Sequence, residues 1–383
     1  MSNTMSIKNK YISLIFCIVI TAVYFVILIC LYQNQLDLDA SVKSDILAHI
    51  EFGLSESNFN SVVLPILAFL WQFSNHCSFV VALFLSVFSI LSVFLTYILI
   101  KNHVSGMPKK YLYLAAFICN IYMPIHAPCF NASPYVGMFG FNLWHNSTYI
   151  AMKPFAIISI ILFFSLISSY KTKPILITEF ICFSGFLFIA SLFKLSFAFG
   201  FMPCLLVMMI IDFIKSKGKN ILNYILFGAT MLPTGLLMIW QKTQLFDQTS
   251  EIEFDFLKIW LLYTDTPLIS IGLSLAFPLI ILIFNYKDLI RCKIYQFSWF
   301  FAAVNILIFA CLCESGPREM HGNFGWGTHF AVGLLFVVSM CKFLNQVRNI
   351  SKFKLTIISS ILGMHMLCGI NYIIRFLCEN TYI

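Results

Sequence analysis

Apolar runs of about twenty residues recur from one end of this chain to the other, and they decide what it can fold into. Residues 12–32, "ISLIFCIVITAVYFVILICLY", and residues 77–100 contain no charged side chain. A helix needs about 20 such residues to cross the roughly 30 Å hydrocarbon core of a bilayer. Only helices and closed barrels can span that core, and these runs are too long and too uniformly apolar for barrel strands.

The composition agrees with a membrane location. Hydrophobic residues make up 60% of the chain and charged residues 10%, against about 45–50% and about 25% in soluble domains. We therefore predict an all-α, polytopic transmembrane bundle of about 11 spans that forms a single integral membrane domain over residues 1–383. The predicted spans are 12–32, 77–100, 111–128, 149–169, 174–193, 195–214, 222–241, 267–286, 295–313, 327–345 and 355–376.

The basic residues orient these spans. With the N-terminus in the cytoplasm, 17 of the 24 Lys and Arg residues fall on the inner side, as the positive-inside rule requires for short loops. The net charge of +8 is therefore a topological signal, and nucleic acid is not an expected partner. The first span follows Lys8 and Lys10 and lacks a small-residue cleavage site, so we interpret it as an uncleaved anchor in the plasma membrane.

The acidic residues indicate which face is active. Thirteen of the 16 Asp and Glu residues fall on the outer side, although acidic residues contribute little to topology. The predicted outer loops are 33–76, 129–148, 242–266 and 314–326. The first contains "SVVLPILAFLWQF", which is too short to span and carries Pro65, so we expect a surface or re-entrant helix there. The predicted active face is extracytoplasmic.

The first outer loop gathers ionisable groups in "DLDASVKSDILAHIEFG", residues 37–53. If 41–52 is helical, Asp45 and His49 lie on one face, because they are four residues apart. Asp37 and Asp39 form a D-x-D pair upstream. A carboxylate here can accept a proton from a hydroxyl, bind a hard divalent cation or hydrogen-bond a sugar. A capped surface helix with a local ion pair is the alternative interpretation.

The second outer loop ends in "NLWHNSTYIAMKPF", residues 142–155. Interfacial aromatic residues are expected in any membrane protein, whereas His145 and Asn146 are more informative. Lys153 lies one turn inside the next span, where a lysine must snorkel or pair with a lipid headgroup or a carboxylate. Lys194 separates two spans with almost no loop, and we expect it at the outer interface.

The fourth outer loop, "CESGPREMHGNFGWGTHF", has several glycines and Pro317, which favour tight turns over regular helix. Within it, Arg318 is suited to bidentate phosphate binding. His321, Asn323 and Trp326 are side chains that hydrogen-bond or stack on sugars. An ordinary glycine-rich turn with a Glu–Arg pair is the alternative.

Together, these features resemble the GT-C class of polytopic membrane glycosyltransferases, which carry a modified D-x-D motif in a long first extracytoplasmic loop with surface helices. The stretches "NLWHNSTYIAMKPF" and "GPREMHGNFGWG" are also similar to ones in polytopic proteins of bacterial polysaccharide clusters. The resemblance implies transfer of a sugar from a polyprenyl-phosphate-linked donor to a glycan or lipid-linked acceptor, within membrane lipids. Asp45 would be the base, with Asp39 and Asp37 as competitors.

The resemblance also assigns roles to the remaining candidates. Arg318, with Lys153 or Lys194, would stabilise the polyprenyl phosphate that leaves. The residues expected to contact substrate besides these cations are His49, His145, Asn146, His321, Asn323 and Trp326. The D-x-D spacing is compatible with Mg²⁺ or Mn²⁺, but no metal is required where Arg and Lys hold the phosphate.

Three other functions fit parts of the pattern. A repeat-unit polysaccharide polymerase needs the same groups on the same face. A flippase or transporter of lipid-linked saccharide would need ionisable groups near the midplane and broken helices in paired halves. A membrane acyltransferase would also use a histidine and a carboxylate at the interface, which would give a role to His126 between Pro124 and Pro128; a packed histidine at a kinked helix end is the favoured interpretation of that residue.

Overall fold

The computed structural model describes residues 7–37, 44–55, 61–245, 251–316, 319 and 322–378. Helices dominate this part of the chain. The helices of its first half are α1 (Ile7–Asn34), α2 (Asp45–Leu54), α3 (Val63–Phe73), α4 (Ser78–His103), α5 (Lys109–Cys119), α6 (Ser147–Leu166), α7 (Ile177–Phe193) and α8 (Ser196–Lys215). Those of its second half are α9 (Ile221–Ala229), α10 (Leu232–Leu245), α11 (Lys258–Tyr263), α12 (Pro267–Ser274), α13 (Ala276–Phe284), α14 (Tyr286–Arg291), α15 (Lys293–Cys311), α16 (Gly325–Gln346) and α17 (Lys352–Cys378).

Seven of the described helices are long and apolar enough to span a membrane, namely α1, α4, α6, α8, α15, α16 and α17. Two bent pairs, α9–α10 and α12–α13, raise the number to nine if each pair is one span. The chain is thus a multi-pass helical membrane protein. Two of the eleven predicted spans are shorter in the structure: α5 ends at Cys119, and α7 has 17 residues.

Proline accounts for both bent pairs. The axis turns by 41° between α9 and α10 and by 66° between α12 and α13. Pro233 and Pro278 each lie in the first turn of the second helix of a pair. Proline lacks an N–H and is tolerated in a first turn, but its ring disfavours continuation from the preceding helix.

α6 and α16 form the centre of the bundle. The buried share of the most apolar 18-residue stretch is 72% in α6 and 83% in α16. The same share is 17% in α1 and 28% in α17. The peripheral helices therefore present most of their apolar surface outward, where lipid would cover it, and the central pair is enclosed by protein.

The first outer loop contains two short helices, as the sequence predicts. α2 packs closely on α3, since a methyl group at Gly53 would overlap the carbonyl oxygen of Leu64. The Ser61 hydroxyl donates to the carbonyl of Phe193 over 2.5 Å, and the Val62 N–H donates to the carbonyl of Leu192 over 3.1 Å. These bonds fix the start of α3 against the end of α7.

The segment 120–146 is irregular and lies mostly inside the protein, whereas the sequence predicts an outer loop over 129–148. Tyr122, Phe139 and Phe141 are buried in it. Several of its polar groups are paired, with Asn142 donating to the Tyr122 carbonyl over 2.9 Å and the Phe139 N–H donating to Ser274 over 2.9 Å. Irregular backbone is tolerated at membrane depth only when protein encloses it in this way.

A two-stranded ladder, which the sequence does not predict, joins the third and fourth outer loops. β1 (Ile252–Phe254) pairs antiparallel with β2 (Leu312–Glu314). Beside it, the Lys258 ammonium lies 2.7 Å from the carboxylate of Glu319. The ladder ties the end of α15 to the segment before α11.

We predict that the close approach of α17 to the irregular segment is essential for stability. A methyl group at Gly369 would overlap the backbone of Ile121, whereas one at Gly363, in the same helix, would meet no atom within 4 Å. Overpacking costs about 1–3 kcal/mol, and Gly→Ala in a helix otherwise gains up to about 1 kcal/mol. Gly369→Ala should therefore lower the melting temperature in detergent, and Gly363→Ala should leave it equal or higher. Equal melting of the two variants would contradict this packing.

Candidate active site

Asp45 opens α2 at a firmly anchored helix terminus. Ser44 is the N-cap, and its side-chain oxygen accepts from the Ile46 N–H over 3.2 Å. The same hydroxyl donates to the side-chain oxygen of Gln35 over 2.8 Å, and Gln35 donates to the Trp144 carbonyl over 3.1 Å. A capping side chain of this kind stabilises a helix start by about 1 kcal/mol. The Asp45 carboxylate is consequently held between the end of α1 and the start of α6.

Asn146 connects the groups of the site. Its Nδ2 donates to Asp45 Oδ2 over 2.8 Å. Its Oδ1 caps α6 by accepting from the Tyr149 N–H over 3.0 Å, and it also accepts from the Thr148 hydroxyl over 2.8 Å. The side chain is 3% exposed, so its rotamer is fixed by these bonds. One amide therefore links the first outer loop to a central helix.

Lys194 supplies a positive charge beside this amide. Its ammonium donates to Thr148 Oγ1 over 2.9 Å and to Asn146 Oδ1 over 3.3 Å. It also lies 4.4 Å from the centroid of the Trp326 ring, a distance typical of a cation–π contact. These contacts fix the ammonium beside the Asn146 amide, at the start of α6.

Two neutral histidines flank the charged groups. His49 Nδ1 lies 2.7 Å from Ser147 Oγ. Burial lowers the pKa of His49 to about 4, although nearby Asp45 raises it and Lys194 lowers it further. Burial likewise lowers the pKa of His145 to about 4. Both imidazoles are therefore uncharged at neutral pH and can accept or donate hydrogen bonds.

A cavity of about 600 Å³ lies next to these residues. The candidates on its wall are His49, Lys194, Asn323 and Trp326. Its other described polar lining residues are Ser55, Ser61, Thr148, Ser196, Gln241, Lys242, Asn305 and Glu314. Its apolar lining residues are Phe52, Leu64, Phe193, Leu195, Phe199, Met238, Ile239, Ile252, Ile308 and Phe324. The cavity thus suits a ligand with a polar head and a hydrocarbon part.

The structure brings most of the predicted residues together. Asp45, His49, Asn146 and Lys194 form one connected group, and Asn323 joins the cavity wall, where it donates to Glu314 over 2.6 Å. The His145 ring lies behind the wall, 5.9 Å from the Trp326 ring and 4.6 Å from the Tyr135 ring.

Two predicted residues lie apart from this group. The Lys153 ammonium is buried against the other side of α6, where it donates to the Phe141 carbonyl over 3.1 Å and to Asn142 Oδ1 over 2.8 Å. These partners hold it away from the cavity, in place of the expected headgroup or carboxylate. Asp37 is exposed just after α1. Asp39, Arg318 and His321 lie outside the described residues.

Several cavity residues were missed by sequence reasoning. In the sequence, Thr148 is the third residue of an Asn-x-Thr glycosylation sequon that begins at Asn146. In the structure, its hydroxyl oxygen accepts a hydrogen bond from the Lys194 ammonium. Asn305 lies within an apolar span, a polar placement that marks functional or packing sites. It is 1% exposed, and its amide occupies the space left by two glycines, Gly200 and Gly327. The sequence shows a polar asparagine within an apolar span. It does not show that Gly200 and Gly327 lie against the Asn305 side chain, because those contacts are tertiary.

The arrangement combines an anion, a cation and neutral hydrogen-bonding rings beside an amphipathic cavity. The carboxylate can take a proton, the ammonium can hold an anion, and Trp326 can stack on a ring. Among the described residues, no three His, Cys, Asp or Glu side chains are grouped so as to hold a metal ion. The Mg²⁺ or Mn²⁺ alternative rests on a D-x-D pair whose second aspartate is outside the described ranges.

Fold and site together define a multi-pass helical membrane protein with a polar cluster at an amphipathic cavity. No protein-family model, curated protein or solved structure matches this chain. Its function must therefore be argued from the site itself.

We predict that stability falls as the pH is lowered from 6.5 to 4. In that window the unfolded histidines bind protons, because their ordinary pKa is about 6.5, while His49 and His145 in the folded protein do not. Each histidine contributes a slope of up to about 1.4 kcal/mol per pH unit, which vanishes below pH 4. The measurement is the free energy of unfolding in mixed micelles at several pH values.

The histidine variants separate this effect from general acid sensitivity. His145→Gln should remove about half of the slope that the two histidines contribute, whereas His76→Asn, at an exposed position, should keep all of it. An unchanged slope in His145→Gln would show that the ring is not buried in its neutral form.

Proposed function

We propose that this protein is a GT-C-like membrane glycosyltransferase of surface polysaccharide synthesis. It would move a sugar from a polyprenyl-phosphate-linked donor to a glycan or lipid-linked acceptor at the extracytoplasmic face of the plasma membrane. The single observation that carries the proposal is the 600 Å³ amphipathic cavity with Lys194 on its wall and Asp45 one amide away.

The cavity supports a lipid-linked donor. Its volume lies within the range of about 300–1,000 Å³ typical of small-molecule sites, and α3, α8, α10 and α15 are among the elements that supply its apolar lining. Isoprene units could pack against Leu64, Phe199 and Ile308, and the phosphate would meet Lys194. A charge-assisted hydrogen bond from an ammonium to a phosphate oxygen is roughly twice as strong as a neutral one.

The carboxylate supplies the base. The hydroxyl oxygen of the acceptor would attack the anomeric carbon, and its proton would pass to Asp45. The bond between the anomeric carbon and the phosphate oxygen would break, with the electron pair leaving on the polyprenyl phosphate near Lys194. A phosphate leaving group needs no general acid, so one carboxylate suffices where a glycosidase uses two.

Asn146 sets the spacing between the two charges. It touches Asp45 through its amide nitrogen and Lys194 through its amide oxygen, so the base and the cation are held on opposite sides of one rigid group. Such preorganisation stabilises developing charge without rearrangement during reaction. The neutral His49 ring on the cavity wall would then position a sugar hydroxyl.

A flippase is the second candidate, because the two bent helix pairs are an observation that favours it. Discontinuous helices are common at the substrate sites of transporters, and α10 of one bent pair lines the cavity. A flippase would move the lipid-linked saccharide unchanged, whereas a transferase releases polyprenyl phosphate. A polymerase would release a polyprenyl carrier too, but only from a repeat-unit donor.

We predict that Asp45→Asn abolishes transfer. Loss of a general base typically lowers the rate about 10²–10⁴-fold, and asparagine preserves the shape of the side chain. The measurement is release of polyprenyl phosphate from undecaprenyl-phosphate-linked hexoses and N-acetylhexosamines by the protein in liposomes. Glu51→Gln, an exposed position of the same helix, is the matched control and should keep wild-type activity.

The outcomes discriminate among the candidates. Full release by Asp45→Asn would exclude Asp45 as the base. Movement of intact lipid-linked saccharide across the bilayer, with no release by the wild type, would replace the transferase with the flippase. Release from a repeat-unit donor alone would favour the polymerase.

A further inference from the structure

A second, smaller cavity of about 120 Å³ lies on the Trp326 side chain. Trp326 lines both this cavity and the 600 Å³ cavity, so the indole separates them. The second cavity is built from the irregular segment, the end of α11 and the start of α16. Its described lining residues are Tyr135, Val136, Gly137, Met138, Phe139, Tyr263, Phe309, Gly322, Gly325, Trp326 and His329.

The lining chemistry is aromatic and uncharged. Five of the described lining residues are Phe, Tyr or Trp, and none of the described ones is Asp, Glu, Lys or Arg; the five are Tyr135, Phe139, Tyr263, Phe309 and Trp326. Aromatic faces pack on the C–H faces of sugar rings, and tyrosine hydroxyls add hydrogen bonds. The surface therefore suits a flat, hydroxylated and neutral ring.

Two glycines on the wall of this cavity allow close packing of the backbone. Gly322 has φ +57° and Gly137 has φ +78°, both in the left-handed region that favours glycine. A methyl group at Gly322 would lie 2.8 Å from the Tyr263 hydroxyl oxygen, and one at Gly137 would lie 2.9 Å from Thr264 Cγ2. Both glycines therefore let the backbone pack closely against Tyr263 and Thr264, and so shape the wall of the cavity.

The volume fits one ring. A water needs about 10–15 Å³ of cavity volume on this scale, so 120 Å³ holds roughly eight to twelve water-sized groups. A hexopyranose has twelve non-hydrogen atoms. A second ring would exceed the space.

The charge of the proposed base reaches the wall of this cavity, although Asp45 is not among its described lining residues. Burial raises the pKa of Tyr263, and the negative charge of Asp45 raises it further, so the carboxylate acts on the cavity wall. The same charge would repel an anionic ring. A buried carboxylate without a cationic partner would pay a large desolvation cost in addition.

We propose that the second cavity binds a single uncharged pyranose ring of the acceptor, stacked on Trp326, and rejects rings that carry a carboxylate or a phosphate. The assignment to the acceptor rests on the proposed transferase function. The ring selectivity rests on the lining alone. Trp326 would then contact both substrates, with the donor phosphate at Lys194 on the side of the larger cavity.

The test is saturation-transfer NMR on the full-length protein in detergent. The probes are the methyl glycosides of glucose, galactose and mannose, with methyl glucuronide as the anionic counterpart of methyl glucoside. We expect at least one neutral glycoside to receive saturation from the protein and methyl glucuronide to receive none. Val136→Phe narrows the cavity and should reduce the signal of the bound glycoside at least about fivefold.

Matched variants control for folding and for adsorption to the micelle. Val87→Phe makes the same change at a position of α4 that is 50% exposed, and it should keep the full signal. Val136→Ala leaves the cavity open and should also keep the full saturation-transfer signal. The comparison of the variants therefore does not depend on Val136→Phe alone, which could lose signal through a folding defect.

Several results would overturn the proposal. They are equal signals in Val136→Phe and Val136→Ala, no signal from any neutral glycoside, and an equally strong signal from the glucuronide. Ring binding without sugar transfer would refute the proposed reaction and leave the ring site standing. Transfer that is insensitive to Val136→Phe would refute the acceptor assignment and leave the reaction standing.

Discussion

The amide of Asn146 is the interaction on which the candidate site depends. It caps α6, donates to Asp45 and accepts from Thr148 and Lys194. Because the amide has distinct donor and acceptor ends, it holds the Asp45 carboxylate at its nitrogen and the Lys194 ammonium at its oxygen. In the proposed reaction, the two charges would act on different parts of the substrates.

The membrane setting explains how this amide is held. Polar groups in a low-dielectric interior must be paired, and each unpaired one costs about 1–3 kcal/mol. The irregular segment 120–146 meets much of this requirement through bonds to its own side chains and to neighbouring helices, although the buried side-chain oxygen of Asn120 accepts no hydrogen bond within the described residues. Lys153 contributes by donating to Phe141 and Asn142. We therefore interpret Lys153 as a support for the loop that carries His145 and Asn146, behind the site and not within it.

Much of the fold could be predicted from local pattern. The long apolar runs predict the spans, and the short apolar piece after residue 60 predicts α3. The ladder between β1 and β2 could not be predicted, because its strands lie about sixty residues apart and each has three residues. Lys153 and Lys194 show the same limit. Both are lysines among apolar residues, and only their tertiary partners show that one lines the cavity and the other supports a loop.

The account places the phosphate of a polyprenyl lipid at Lys194, and direct observation of that phosphate is its sharpest test. The measurement is a cryo-electron microscopy map of the protein in nanodiscs that contain polyprenyl phosphate. We expect lipid density in the 600 Å³ cavity, with the phosphate about 2.7–2.9 Å from the Lys194 ammonium, and loss of that density in Lys194→Met. Lipid density only outside the cavity, with no phosphate beside the Lys194 ammonium, would contradict the account.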